Sequence, residues 1–175
     1  MELWDLYDRD RIPTGETHER GKPLPKGRYH MVVHVVIFNT KGEMLIQQRQ
    51  PFKEGWPNLW DITVGGSAVA GDTSRTAAQR EVMDEIGLAI DLSGEQPKLT
   101  IPFDVGFDDI YTLVMDVDLT TLHLQESEVQ AVRWASEEDI LAMLADRRFI
   151  PYHQAFIQLL FALRHSRGAH VSKLG

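Results

Sequence analysis

"GGSAVAGDTSRTAAQREVMDEIGL", Gly65 to Leu88, is the stretch on which both the fold and the chemistry turn. From Thr73 to Ile86 it holds neither Gly nor Pro, and Ala77, Ala78, Val82 and Ile86 recur at helical spacing. Asp72 is expected to cap the N-terminus of this helix, and Gly87 to supply the left-handed residue just past its end. Glu81 stands three positions from Asp84 and four from Glu85, so all three project to one side. Like charges so placed repel by about 0.2–0.5 kcal/mol per pair on an exposed helix. An acidic run of this kind is most often a solvated face. Here, however, Gly65–Gly66 precedes the connecting loop, where a backbone carbonyl can reach a ligand with no Cβ in the way. Carboxylates, a carbonyl and water make an oxygen-only donor set. That set suits Mg²⁺ or Mn²⁺ bound jointly with the phosphates of a substrate.

On the N-terminal side, "YHMVVHVVIFN" (Tyr29–Asn39) and "MLIQQR" (Met44–Arg49) read as two strands joined by the turn "TKGE". "QPFKEGWPNLW" is a loop, and "DITVGG" (Asp61–Gly66) a further short strand. Residues 1–28 form a polar, turn-rich N-terminal extension, with "LWDLYD" as a strand or turn followed by a loop. On the C-terminal side, "KLTIPFDV", "DIYTLVMDVDL" and "EVQAVRWA" read as strands. "SEEDILAMLAD" is an amphipathic helix capped near Ser136. "PYHQAFIQLLFALRHS" is a last helix with Pro151 in its first turn, and residues 166–175 are expected to be a flexible tail. Interspersed strands and helices with no linker predict one mixed α/β domain over residues 1–175.

The 175 residues suffice for a real hydrophobic core, and 43% apolar with 25% charged residues is ordinary for a globular chain. The net charge, 18 − 26 = −8, argues against a nucleic-acid partner, which needs a basic stripe. A small anionic substrate stays open, because a metal or a few local bases reverse the sign locally. With no cysteine, disulfides, thiolate nucleophiles and Cys-ligated zinc are excluded. "MELWDLYDRD" lacks the basic and apolar regions of a signal peptide, and no apolar run approaches a membrane span. A cytoplasmic protein without a membrane partner is expected.

The stretch resembles the Nudix box, G-x5-E-x7-R-E-U-x-E-E-x-G-U with U aliphatic. It supplies Gly66, Asp72, Arg80, Glu81, Val82, Asp84, Glu85, Gly87 and Leu88 at every required gap, with Asp for Glu at 72 and 84. The resemblance implies the Nudix fold, an α/β/α sandwich around a mixed β-sheet with the box as a loop–helix–loop. It also implies Mg²⁺- or Mn²⁺-dependent hydrolysis of the diphosphate linkage in a nucleoside diphosphate linked to X or a related small diphosphate. Residue by residue, Glu85 matches the most regular metal ligand, and Glu81 a ligand or the general base. Asp84 matches a further ligand with a shorter arm, and Gly66 a carbonyl contact to metal. Arg80 matches the arginine that orients the box acids, and Asp72 its partner, shortened in a way that weakens the pair.

Outside the box, Met1 to Trp134 resembles the Nudix subgroup that includes type I isopentenyl-diphosphate isomerase. That enzyme uses a cysteine where this chain has Gly65 and a metal-binding histidine where it has Ser67, while its arginine–glutamate pair is degenerate. The intact Arg80–Glu81 and the missing thiol favour hydrolysis; His30 matches a metal-site histidine of the isomerase and argues the other way. A non-catalytic binding module on the same scaffold is the third reading. Arg49 and Lys53 match the bases that hold the diphosphate in the isomerase relatives, and a forked Arg beside a flexible Lys suits that group. Trp60 is assigned to the core and Trp56 is left open. His34, inside an apolar strand, reads as structural. Asp109 and Glu128 are further candidates for general base, the former placed with Asp108 just before a strand. Oligomeric state is not legible; a homodimer is the form to test.

Overall fold

The computed structural model describes residues 2–166 and 168–171, so part of the expected tail lies outside the described residues. A hairpin of β1 (Leu3–Tyr7) and β2 (Pro13–Glu19) precedes the main sheet. That sheet runs β5 (Trp60–Asp61), β4 (Met44–Arg49), β3 (His30–Phe38), β8 (Gly106–Val114), β7 (Leu99–Phe103). Strand β6 (Val64–Ser67) pairs with β3, and β9 (Val129–Ala135) with β4. Only β3 and β8 run parallel, from His30↔Gly106 to Phe38↔Val114; the other pairings are antiparallel, so the sheet is mixed.

Strand β3 is apolar on both faces because both are covered. Val33, Val35 and Ile37 pack with Leu45 and Val64 against Ala77, Ala78, Val82 and Ile86 of α1 (Ser74–Ile86). Val36, Phe38, Met44 and Ile46 pack on the opposite face against Ile140 and Met143 of α2 (Glu137–Ala145) and Ile157, Leu160 and Phe161 of α3 (Gln154–Leu163). The chain is thus the α/β/α sandwich read from its sequence.

Five local readings are corrected. The N-cap of α1 is Thr73, not Asp72: Thr73 and Thr76 form a reciprocal capping box, while Arg80 draws the Asp72 carboxylate away. Pro151 precedes α3 rather than opening it, and His153 stands at the cap. Asp108 and Asp109 lie within β8, which begins at Gly106 and ends at Val114. The loop expected after "LWDLYD" contains β2. "DITVGG" is also divided: the strand breaks at Thr63, whose buried hydroxyl donates to the Leu45 carbonyl (2.6 Å) and accepts from the Ile37 amide (2.9 Å). Both backbone groups stay satisfied where the ladder is interrupted.

Candidate active site

Helix α1 and strand β6 build one wall of a cleft of about 810 Å³. Gly87, at φ +68°, closes α1 with its amide on the Met83 carbonyl. Glu81, Asp84 and Glu85 reach the cleft from the helix, Gly65–Ser67 from the strand, and Arg49 and Lys53 from the loop after β4. Residues separated by up to 36 positions in the chain, Arg49 to Glu85, therefore share one concavity. Glu128, from the turn before β9, joins them; Asp109 does not.

Arg80 organises the acids. Its guanidinium donates to Asp72 Oδ2 at 2.9 and 3.2 Å, to Glu81 Oε1 at 2.9 Å and to the Ser67 carbonyl at 3.2 Å. Asp84 lies 3.6 Å away and is more than half exposed. The shortened Asp72 still makes direct contact with Arg80. Gly66 must be glycine for a steric reason: a Cβ there would stand 2.3 Å from the Glu81 carboxyl carbon. The helix carboxylate lies flush against the strand backbone.

Glu85 is buried, with 6% of its surface exposed, and accepts from the Gln47 side chain at 2.9 Å. Burial pushes its carboxyl up to about 8, opposed by the Gln47 hydrogen bond and reinforced by the charges of Glu81, Glu128 and Asp61. Glu81 is also raised, by burial first, against the pull of Arg80. These are not solvated surface acids. Among the described residues, no three His, Asp or Glu side chains are gathered so that they could hold a metal ion by themselves. The donors fit a hard cation in a different sense: Glu81, Glu85 and Asp84 flank the Gly66 backbone on an open cleft that leaves coordination positions for water and phosphate oxygens. A cation there would offset the burial and, after it, the neighbouring negative charges that together raise the Glu85 carboxyl.

The bases that line the cleft are already engaged. Lys53 Nζ pairs with Glu128 at 2.6 Å, and Arg49 Nε donates to the Gly55 carbonyl at 2.9 Å. Asp109 is buried on the hairpin side, held by Arg11 at 2.9 Å and Thr100 at 2.6 Å. His30 is buried and stacked on Trp4, ring centroids 4.2 Å apart, and burial lowers its proton affinity. Trp60 packs beside the second core with Arg133 over its ring, as assigned, whereas Trp56 is exposed, at φ +52°. The hairpin residues Glu2 and Arg20, paired at 3.0 Å, also line the cleft. Sequence reading missed them, since nothing in a polar extension marks it as a cleft wall.

Residues 28–159 match the NUDIX domain, and the chain belongs to the Nudix hydrolase family. It is 47% identical over 170 residues to an uncharacterised Nudix hydrolase of Listeria monocytogenes, covering 97% of this chain and 99% of that one. It is 29% identical over 138 residues to isopentenyl-diphosphate Delta-isomerase of Nocardia farcinica, covering 76% of this chain and 75% of that one. Its fold matches the crystal structure of a Deinococcus radiodurans protein with a TM-score of 0.73 at 22% identity, over 90% of this chain and 98% of that one. Members of the family act on small molecules and generally use divalent metals.

Proposed function

We propose that the protein is a Mg²⁺- or Mn²⁺-dependent pyrophosphohydrolase that splits the P–O–P link of a nucleoside diphosphate linked to X or a related small diphosphate. The observation that carries this reading is the presence, in the lining of one cleft, of both the Glu81–Asp84–Glu85 cluster and the Arg49–Lys53 pair.

Glu81, Asp84, Glu85 and the Gly66 carbonyl would hold the metal, which when bound lowers the pKa of water and screens diphosphate charge. Arg80, tethered by Asp72, fixes the Glu81 carboxylate against the Gly66 backbone by bonding Oε1, while Oε2 has no hydrogen-bond partner among the described residues. Glu81 takes the proton of the attacking water at that free oxygen. Arg49 and Lys53 orient the anion; Lys53 exchanges Glu128 for a phosphate oxygen as the substrate enters. The acidic surface supports a substrate that is a small molecule and not a nucleic acid. The cytoplasm and a homodimer complete the reading.

The isomerase reading meets a steric obstacle besides the missing thiol. A Cβ at Gly65 would stand 2.2 Å from the His34 ring, so the isomerase cysteine has no room here. A binding module does not need its acids buried at the cleft floor. The test is a panel of diphosphate compounds with Mg²⁺, scored by product analysis. Cleavage between the phosphorus atoms is expected; no cleavage of any compound, or transfer of a double bond without hydrolysis, would overturn the proposal.

A further inference from the structure

Beside this cleft lies a second chamber of about 470 Å³ that shares Arg20, Arg49 and Gly65–Ser67 with it. Its lining is unlike that of the acid cluster. His34 presents its ring from β3, with Nδ1 on Asp108 at 2.8 Å. Asp61 Oδ1 accepts from the Tyr152 hydroxyl at 2.8 Å and from the Ile62 amide. His34 Nε2 and Asp61 Oδ2 have no hydrogen-bond partner among the described residues, and neither is sealed from solvent. Trp56 stands at the rim, half exposed.

Gly65 explains why the ring lies where it does. Its φ is not positive, so the backbone does not require glycine. The imidazole requires it: a Cβ would come within 2.2 Å of Cδ2 and 2.3 Å of Nε2. The ring rests on the strand at the junction of the two chambers, locked from behind by Asp108. A merely structural histidine would not need a missing side chain on its open side.

We propose that His34 is the specificity-determining contact to the group attached beyond the diphosphate, and that this group is oxygen-bearing, with hydroxyls, rather than hydrocarbon. The inference rests on the diphosphate reading of the first chamber. A hydroxylated ring laid in the second chamber bonds to His34 Nε2, offers a proton to the Asp61 carboxylate and stacks on Trp56. A prenyl chain there would cover both polar atoms and bond to neither, which is costly. Asp108 acts through His34, as a positioning residue. Its carboxylate holds Nδ1 at 2.8 Å and so fixes the ring plane, leaving Nε2 as the nitrogen that meets the ligand.

The test compares uridine diphosphate with dimethylallyl diphosphate, which carry the same diphosphate and differ only in what is attached to it. Binding to the whole chain is measured by calorimetry in Ca²⁺, and turnover in Mg²⁺. The parent should bind uridine diphosphate at least tenfold tighter. His34→Phe should lose at least tenfold on uridine diphosphate and less than threefold on dimethylallyl diphosphate. Asp108→Asn should lose in the same sense, in KM with kcat kept, and His34→Gln should recover part of the loss. If His34→Phe does not fold, Gly65→Ala serves, since its Cβ displaces the ring and should bring the same selective loss. No preference in the parent, equal losses on both ligands, or no binding of either would overturn the inference. Selective binding without turnover would sustain it while removing the hydrolase reading.

Discussion

Replacing Glu85 by Gln in metal-free protein should stabilise the fold, by an amount set by burial rather than by helix surface charge. The folded carboxyl titrates at about 8 against 4.5 for the ordinary group. A raised carboxyl contributes its stability below the lower value and loses it as pH rises through the upper one. At pH 7 the unfolded chain is ionised while the folded chain holds the proton, a linkage penalty of about 3 kcal/mol; at pH 5 it is about 1 kcal/mol. Gln removes the penalty and can still accept from Gln47 through its amide oxygen. The variant should therefore gain about 2–3 kcal/mol at pH 7 and about 1 kcal/mol at pH 5. A solvated helix face would give about 0.5 kcal/mol with little pH dependence. Urea melts of both proteins in chelator at the two pH values measure the difference. Mg²⁺ should then raise the parent by mass action and the variant much less. A variant less stable than the parent at pH 7, or a gain equal at both pH values, would refute the reasoning.

Turnover should vanish in chelator and return with Mg²⁺ or Mn²⁺; full activity after exhaustive chelation would remove the metal from the account. Glu81→Gln should lower kcat by about 100-fold or more while leaving the urea midpoint level or slightly raised, since burial lifts this carboxyl against the pull of Arg80 and an amide oxygen keeps the 2.9 Å contact. Lys53→Met should raise KM by about tenfold with kcat nearly kept, and Glu128→Gln should lower KM by freeing Lys53 from its 2.6 Å partner; steady-state kinetics separate the two. Isopentenyl and dimethylallyl diphosphate should not interconvert, followed by NMR in protein free of host isomerase, since no thiol and no room for one exist at Gly65.

Helix α1 was legible because its signals are local, apolar spacing and a terminal glycine within one stretch, although its cap is Thr73, one residue beyond the expected Asp72. The buried strands were legible from β-branched runs such as β3. Strand β2, "PTGETHE", was not, because a hairpin whose residues are half-buried or exposed carries no apolar alternation to read. The box supplied one wall of the cleft, since Gly66 to Glu85 is held together by short-range spacing. What it did not supply are engagements between distant residues: Lys53 with Glu128, Arg11 with Asp109, His34 with Asp108 and with the empty side of Gly65. These depend on strand register, and a one-residue slip would send each side chain to the other face. His34 read as structural for that reason: its strand signalled burial, while its neighbour across the sheet decides its exposure.

The N-terminal hairpin lies outside residues 28–159, the span that matches the family, yet its end reaches the cleft through Glu2 and Arg20. It is fastened to the sandwich by the Trp4–His30 stack and the Arg11–Asp109 bridge. The span that matches the family and this part of the cleft rim are therefore separate stretches of the chain. Substitutions at positions 2 and 20 can reshape the entrance, with the charge of Glu2 also felt by Glu81, and a fragment trimmed to the matched span would keep the box while losing a side of the doorway. Grafting this hairpin between relatives would be a route to exchanging their substrate preferences.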